Sequence, residues 1–265
     1  MRFLTARRRH PAAKGLVLVF ALLVMGALYA TLAPSTKSAA DTGTSQQVAE
    51  GKALFAVSCA SCHGLNGEGQ VSGSIQGPPL AGVGAAAVEF QVATGRMPMA
   101  HPGPQAQTKP SQFTEDEVLA LAAYVATLGP GPAIPEPEQY DPAQGNASDG
   151  ALIFRTNCAM CHNFAGKGGA LTRGKYAPNL EGVTPKHIYE AMITGPQSMP
   201  VFNDQTMPEQ SKRDVIAFLQ DVEENQSPGG LDLGAIGPVG EGMVVWTFGL
   251  GLLIGCAIWL GAKSK

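Results

Sequence analysis

Two apolar runs bracket the chain. Leu16 to Leu32 (LVLVFALLVMGALYATL) and Met243 to Ala262 (MVVWTFGLGLLIGCAIWLGA) contain no charged residue and are about as long as a bilayer requires. They predict transmembrane helices over 16–33 and 243–262. Between them the pattern changes to short apolar-periodic segments separated by Gly- and Pro-rich connections. Glu117 to Leu128 and Glu209 to Val222 repeat their apolar residues at helical spacing. In the first of these Val118, Leu121, Ala122 and Val125 share a face, and Thr114-Glu-Asp-Glu117 forms a capping box that opens the helix. Leu54, Phe55 and Val57 sit on another short helix. No hairpin-forming alternation of apolar and polar residues is present, so the expected fold class is all-α.

The middle of the chain repeats itself. Gly51-Lys-Ala-Leu54-Phe55 precedes Cys59-Ala-Ser-Cys62-His63, and Gly150-Ala-Leu-Ile153-Phe154 precedes Cys158-Ala-Met-Cys161-His162, at an offset of 99. Pro78-Pro-Leu80-Ala-Gly82-Val83 matches Pro178-Asn-Leu180-Glu-Gly182-Val183 at an offset of 100. Gly95-Arg-Met97-Pro98 then corresponds to Gly195-Pro-Gln-Ser-Met199-Pro200, and each copy closes on one of the long periodic segments. One unit has been duplicated, giving predicted domains over 46–128 and 146–226. The Pro-rich stretch 129–145 joins them and favours extended geometry. Polar linkers over 34–45 and 227–242 connect the domains to the spans.

Charge fixes an orientation. Of the 18 basic residues, Arg2, Arg7, Arg8, Arg9, Lys14, Lys263 and Lys265 flank the two runs, and all 21 acidic residues lie between them. The positive-inside rule then puts the tails 1–15 and 263–265 in the cytoplasm and the acidic middle outside it. This predicts a multi-pass protein of the cell membrane with both termini cytoplasmic. A cleaved secretory signal is the competing reading of the first run, with Thr31-Leu32-Ala33 as its small-residue site, and it exports the middle equally well. No basic cluster is interleaved with aromatics, which excludes nucleic acid as a partner.

The chemistry lies in the two Cys-x-x-Cys-His motifs. Thiols one helical turn apart form thioethers with the vinyl groups of haem, and the adjacent His supplies an iron ligand. A redox disulfide pair needs no following His, and motifs 99 residues apart fit a tetrahedral zinc site poorly. The reading is two covalently bound haem c groups, on Cys59 and Cys62 and on Cys158 and Cys161, with His63 and His162 as proximal ligands. A Met opposite the His suits electron transfer and raises the potential, whereas an open position admits oxygen or peroxide. Met97 and Met199, each followed by Pro at matched sites, are the candidates. Met99 rivals the first and Met207 the second. His101 and His187 have no counterpart in the other copy and read as surface residues, and Cys256 reads as a buried small hydrophobe. Units of about 90 residues with so few apolar side chains have marginal cores, which the haem ring completes. Pro78 and Pro178 either form turns or place a carbonyl on the free nitrogen of the proximal His.

These motifs, in this order over 46–226, resemble class I cytochrome c domains, in which an N-terminal helix crosses a C-terminal helix bearing an aromatic, here Tyr124 and Phe218. The whole arrangement of span, two tandem domains and span resembles the dihaem cytochrome c subunit of the actinobacterial cytochrome bcc complex, a menaquinol–cytochrome c reductase. That resemblance implies an electron-transfer subunit without a catalytic site of its own. It further implies a cytochrome b subunit and a Rieske iron–sulfur subunit as partners, the Rieske protein as electron donor and a terminal cytochrome c oxidase as acceptor. Three alternatives compete. The dihaem subunit of a cbb-type oxidase is disfavoured by the C-terminal span. A dihaem peroxidase needs an open iron position where both copies offer Met-Pro, and a membrane redox sensor needs longer cytoplasmic tails.

Overall fold

The computed structural model describes residues 11–32, 43–72, 75–225 and 238–262, in two compact units, Met1–Ser38 and Ala39–Lys265. Most of the predicted linkers 34–45 and 227–242 lies outside the described residues, as do most of the basic tail and the last three residues. Among the described residues the first unit holds one helix, α1 (Pro11–Leu32), whose apolar stretch with described side chains is Lys14–Leu28. Among the described residues one helix, Val239–Ala262, is long and apolar enough to cross a membrane, so the structure bears out one of the two predicted spans.

In the second unit the first repeat comprises α2 (Ser45–Ser58), α3 (Ala60–His63), α4 (Ala85–Ala93) and α5 (Glu115–Ala126). The second comprises α6 (Pro137–Tyr140), α7 (Ala147–Asn157), α8 (Ala159–His162), α9 (Pro185–Thr194) and α10 (Glu209–Glu224). Thr114 and Glu117 make the capping box read from the sequence, and Thr44 with Gln47 makes a second one on α2. Each box satisfies two backbone N–H groups that have no partner within the helix.

In the first repeat α2 crosses α5 at a glycine, and in the second α7 crosses α10 at another. A Cβ on Gly51 would lie 1.9 Å from the Ala120 carbonyl oxygen, and one on Gly150 would lie 1.9 Å from that of Asp214. Backbone meets backbone there, which only glycine permits. The crossing brings Phe55 against Tyr124, with ring centroids 5.2 Å apart, and Phe154 against Phe218 at 5.3 Å. Phe55 and Phe154 are completely buried, each the centre of its own repeat's core. Burial of that order is worth about 1.5–3 kcal/mol per ring. Val57, by contrast, stands 85% exposed on the outer side of α2.

One element departs from the all-α expectation. Two antiparallel hairpins follow the Cys-x-x-Cys-His motifs, β1 (Gln70–Ser72) with β2 (Ile75–Gly77) and β3 (Gly169–Ala170) with β4 (Tyr176–Ala177). They are two or three residues long and stitch a loop through backbone bonds alone. Pairing this short imposes no alternating pattern on the sequence.

Candidate functional site

Each Cys-x-x-Cys-His motif turns the corner between two helices. The first Cys ends the opening helix, its N–H donating to the carbonyl of the core phenylalanine, Cys59 to Phe55 at 2.9 Å and Cys158 to Phe154 at 2.8 Å. The following one-turn helix then carries the second Cys and the His. Burial, reinforced by the neighbouring thiol, pushes Cys59 and Cys158 up to about 11. Both pack against the cores of their repeats.

The loop beyond the hairpin returns to each histidine. His63 Nδ1 lies 2.8 Å from the Pro78 carbonyl oxygen, and His162 Nδ1 lies 3.1 Å from that of Pro178. A carbonyl only accepts, so Nδ1 carries the proton and the Nε2 lone pair is left for a metal. This decides the two readings of the paired prolines in favour of histidine orientation. Burial also holds His162 below its ordinary value, opposed by the Pro178 bond, which favours the neutral ring that a metal needs. The loop approaches so closely that a Cβ on Gly77 would fall 1.8 Å from the Cys62 carbonyl oxygen.

In the second repeat these groups face a cavity of about 550 Å³ lined by Cys158, Cys161, His162 and Met199, with Phe154, Leu180, Val183, Ile188 and Leu219 among its apolar walls. A cavity that presents two thiols, the His162 imidazole and the Met199 thioether among mainly apolar walls fits a covalently held haem. Met207, the rival to Met199, does not line it. It is 3% exposed in the core, and its carbonyl accepts from the fully buried Lys212 Nζ at 2.8 Å. In the first repeat Met97 packs against the core beside Cys59, Leu80 and Val83, whereas Met99 is 37% exposed. Lys109, a residue that nothing in the sequence singles out, holds the Met97 loop by donating to the carbonyls of Gly95 and Pro98.

The comparisons with known proteins agree with this geometry. Residues 48–129 match the family "Cytochrome c", and 145–219 match "Cytochrome C oxidase, cbb3-type, subunit III". The chain is 42% identical over 273 residues to the "Cytochrome bc1 complex cytochrome c subunit" of Corynebacterium efficiens, covering 97% of this chain and 90% of that one. It is 44% identical over 264 residues to the protein so named in Mycobacterium tuberculosis, covering 97% and 93%. This chain belongs to the cytochrome c subunits of the cytochrome bc1 complex. Its two cytochrome c domains carry two covalently bound haem c groups, at the motifs containing Cys59 and Cys62 and Cys158 and Cys161. A more partial likeness, 31% over 140 residues, joins it to the "Cbb3-type cytochrome c oxidase subunit FixP" of Bradyrhizobium diazoefficiens, covering 50% of this chain and 44% of that one.

The two haem domains of this subunit are clamped together by groups that their repeat pattern does not announce. Gln105 of the first domain pairs with the backbone of Tyr176, donating to its carbonyl and accepting from its N–H, both at 2.8 Å. Gln197 of the second domain does the same to Ala106, at 3.0 and 3.1 Å. Across α4 and α9, Lys186 Nζ lies 2.5 Å from Glu89 Oε1 and His187 Nε2 lies 3.4 Å from Glu89 Oε2. His187 is therefore an interface residue and not the surface residue expected. Cys256, expected to be buried, is exposed.

Glu190 is fully buried beside this pair, and neither of its carboxyl oxygens meets a protein donor. A proton shared with Glu89 supplies the missing donor. Burial, then the bond to Glu89, pushes Glu190 up to about 10. Although burial opposes it, hydrogen bonds from His187, Glu190 and Lys186 hold Glu89 down to about 2. Glu190 thus keeps its proton in the folded chain well above the 4.5 at which the unfolded chain releases it. Through that window the folded chain binds the extra proton, so stability falls as pH rises, by up to about 1.4 kcal/mol per unit for one full proton. Glu89 acts in the opposite sense, its contribution being lost as pH falls below 4.5. Glu190→Gln keeps a donor for Glu89 and needs no proton. The variant is expected to resist denaturant better than the parent at about pH 8, with the gap closing at about pH 5. Parallel pH profiles for the two haem-loaded chains would count against the shared proton.

Proposed function

We propose that the subunit is a membrane-anchored two-haem relay, taking electrons from the Rieske iron–sulfur protein of a menaquinol-oxidising complex and delivering them to a terminal cytochrome c oxidase. The observation that carries the relay is the second cavity, whose wall includes Phe90, Thr94 and Arg96 of the first domain. Arg96 directly precedes Met97, so the first domain's ligand loop borders the second cavity, which suits transfer from one domain to the other within a single chain.

Bound haem supplies reversible one-electron chemistry at its iron. The protein's part would be to hold each iron, with His63 and Met97 serving the first haem and His162 and Met199 the second. The carbonyls of Pro78 and Pro178 and the two ties from Lys109 restrain these groups, so little need rearrange as an electron passes. In this reading the cytochrome c domains span 46–128 and 146–226. Helices over 16–33 and 243–262 hold them on the outer face of the cell membrane with both termini inside, as the basic flanks require. Cytochrome b and the Rieske protein are the partners within the complex, and tethering keeps both haems near them at high effective concentration. The cbb-type reading draws on a relative that covers half of this chain, and the bc1 relatives cover nearly all of it.

A mild-detergent pull-down of the tagged chain, read by pyridine haemochrome and reduced-minus-oxidised spectra, tests this. Two haem c per chain accompanied by haem b are expected. Haem c without haem b would overturn the assembled relay and make peroxide turnover the next assay.

A further inference from the structure

The cavity of the second domain contains a cation that the second domain does not supply. Arg96 is the one Lys or Arg among the described residues that line it, and it belongs to the first domain. The only acidic residue in that lining, Glu181, is exposed and paired with Lys167 at 2.8 Å. Arg96 is half-buried and forms no hydrogen bond or salt bridge among the described residues. Its guanidinium stacks on the Phe90 ring, 4.6 Å from the centroid. A half-buried guanidinium with five donors and no acceptor is a costly arrangement unless an anion arrives.

Haem brings such an anion. The vinyl-bearing edge of the porphyrin is tied to Cys158 and Cys161, which leaves two propionate carboxylates on the opposite edge, to be housed in a cavity whose one Lys or Arg among the described residues is Arg96. The geometry points to Arg96 as the partner of a propionate of the haem held by the other domain, completing the second haem site across the domain interface. The proposal rests on the two-haem reading of the chain. The clamps between Gln105 and Tyr176 and between Gln197 and Ala106 hold the two domains together at this cavity, whose lining includes Gln105, Tyr176 and Gln197. Phe90 packs its ring against the guanidinium. A planar fork is the donor that carboxylates match best, and its fixed charge favours Fe(II) over Fe(III) at the second haem. Arg96 is thereby a positioning residue for a haem that it does not ligate, and it directly precedes Met97 on the first domain's ligand loop.

The test is a redox titration of the full haem-loaded chain, parent against Arg96→Gln and Arg96→Lys, with the second haem identified by its altered spectrum in a Met199→His background. Haem is counted first, and fewer than two per parent chain would overturn the two-haem reading and this proposal with it. With two present, Arg96→Gln is expected to shift the Fe(II)/Fe(III) equilibrium of the second haem toward Fe(III) by on the order of tenfold, about 59 mV downward for one electron. The first haem should move less. Arg96→Lys, which keeps the charge and loses the fork, should give a smaller downward shift at the same haem, and it carries the test if the Gln variant does not load haem. An unmoved second haem, or a shift confined to the first, would assign Arg96 to its own domain and overturn the proposal.

Discussion

A chain carrying Cys158→Ala and Cys161→Ala is expected to bind one haem c where the parent binds two, with its second domain unfolded and its first still loaded. The two thiols are the covalent anchors, so without them the ring has only its axial ligands to hold it. The ring fills about 550 Å³ of the second domain's interior. Leaving that volume empty at about 24 cal/mol per Å³ costs on the order of 10 kcal/mol. That is comparable with the entire stability of a small domain, about 5–15 kcal/mol. The first domain has a separate core around Phe55, Leu121 and Tyr124 and has no reason to follow. Pyridine haemochrome counting and limited proteolysis read both halves of the result. A double variant that still holds two haems, or that loses both, would refute it. Met199→Ala makes the informative contrast, because it leaves both thioethers in place. It should keep two haems and lower the potential of the second, since a Met ligand raises it.

The parts of this site that the sequence exposes are those confined to one repeat unit. Cys-x-x-Cys-His is a local turn of backbone, and its register with Pro78 and Pro178 survives duplication, so the pairing of histidine with carbonyl could be anticipated as one of two readings. The capping box at Thr114 is likewise four consecutive residues. The helix crossing was legible as the repeated Gly51 and Gly150, though not its reason, because the atoms that forbid a Cβ belong to Ala120 and Asp214, some sixty to seventy residues away. Contacts between the repeats left no such trace. Gln105, Gln197, Glu89 and Glu190 have no equivalent at the matching position of the other copy, so comparing copies discards the residues that join them. His187 was misread for that reason: lacking an equivalent, it looked incidental, yet its partner Glu89 stands on the opposite domain. The hairpins escaped because short backbone pairing imposes no side-chain pattern.

Gly51→Ala adds one methyl group and is expected to destabilise the first domain by more than about 4 kcal/mol, in the range reserved for disrupted cores. In an open helix the same change would stabilise by about 1 kcal/mol, so the sign is decided by what the methyl meets. It would sit 1.9 Å from the Ala120 carbonyl oxygen, 2.5 Å from its carbon and 3.0 Å from Tyr124 Cβ. Two of these atoms are backbone, so α2 and α5 must part along their whole contact. Parting them withdraws Tyr124 from Phe55, and Phe55 accepts the hydrogen bond that sets Cys59 at the end of α2. The thermal midpoint of the first domain should therefore fall together with its haem loading, while the second domain keeps its own. Gly249→Ala is the control, since a Cβ there meets nothing within 4 Å and should leave the midpoint unchanged. If Gly51→Ala unfolds with the parent, the helices do not cross in backbone contact, and the placement of Cys59 must rest on something other than this crossing.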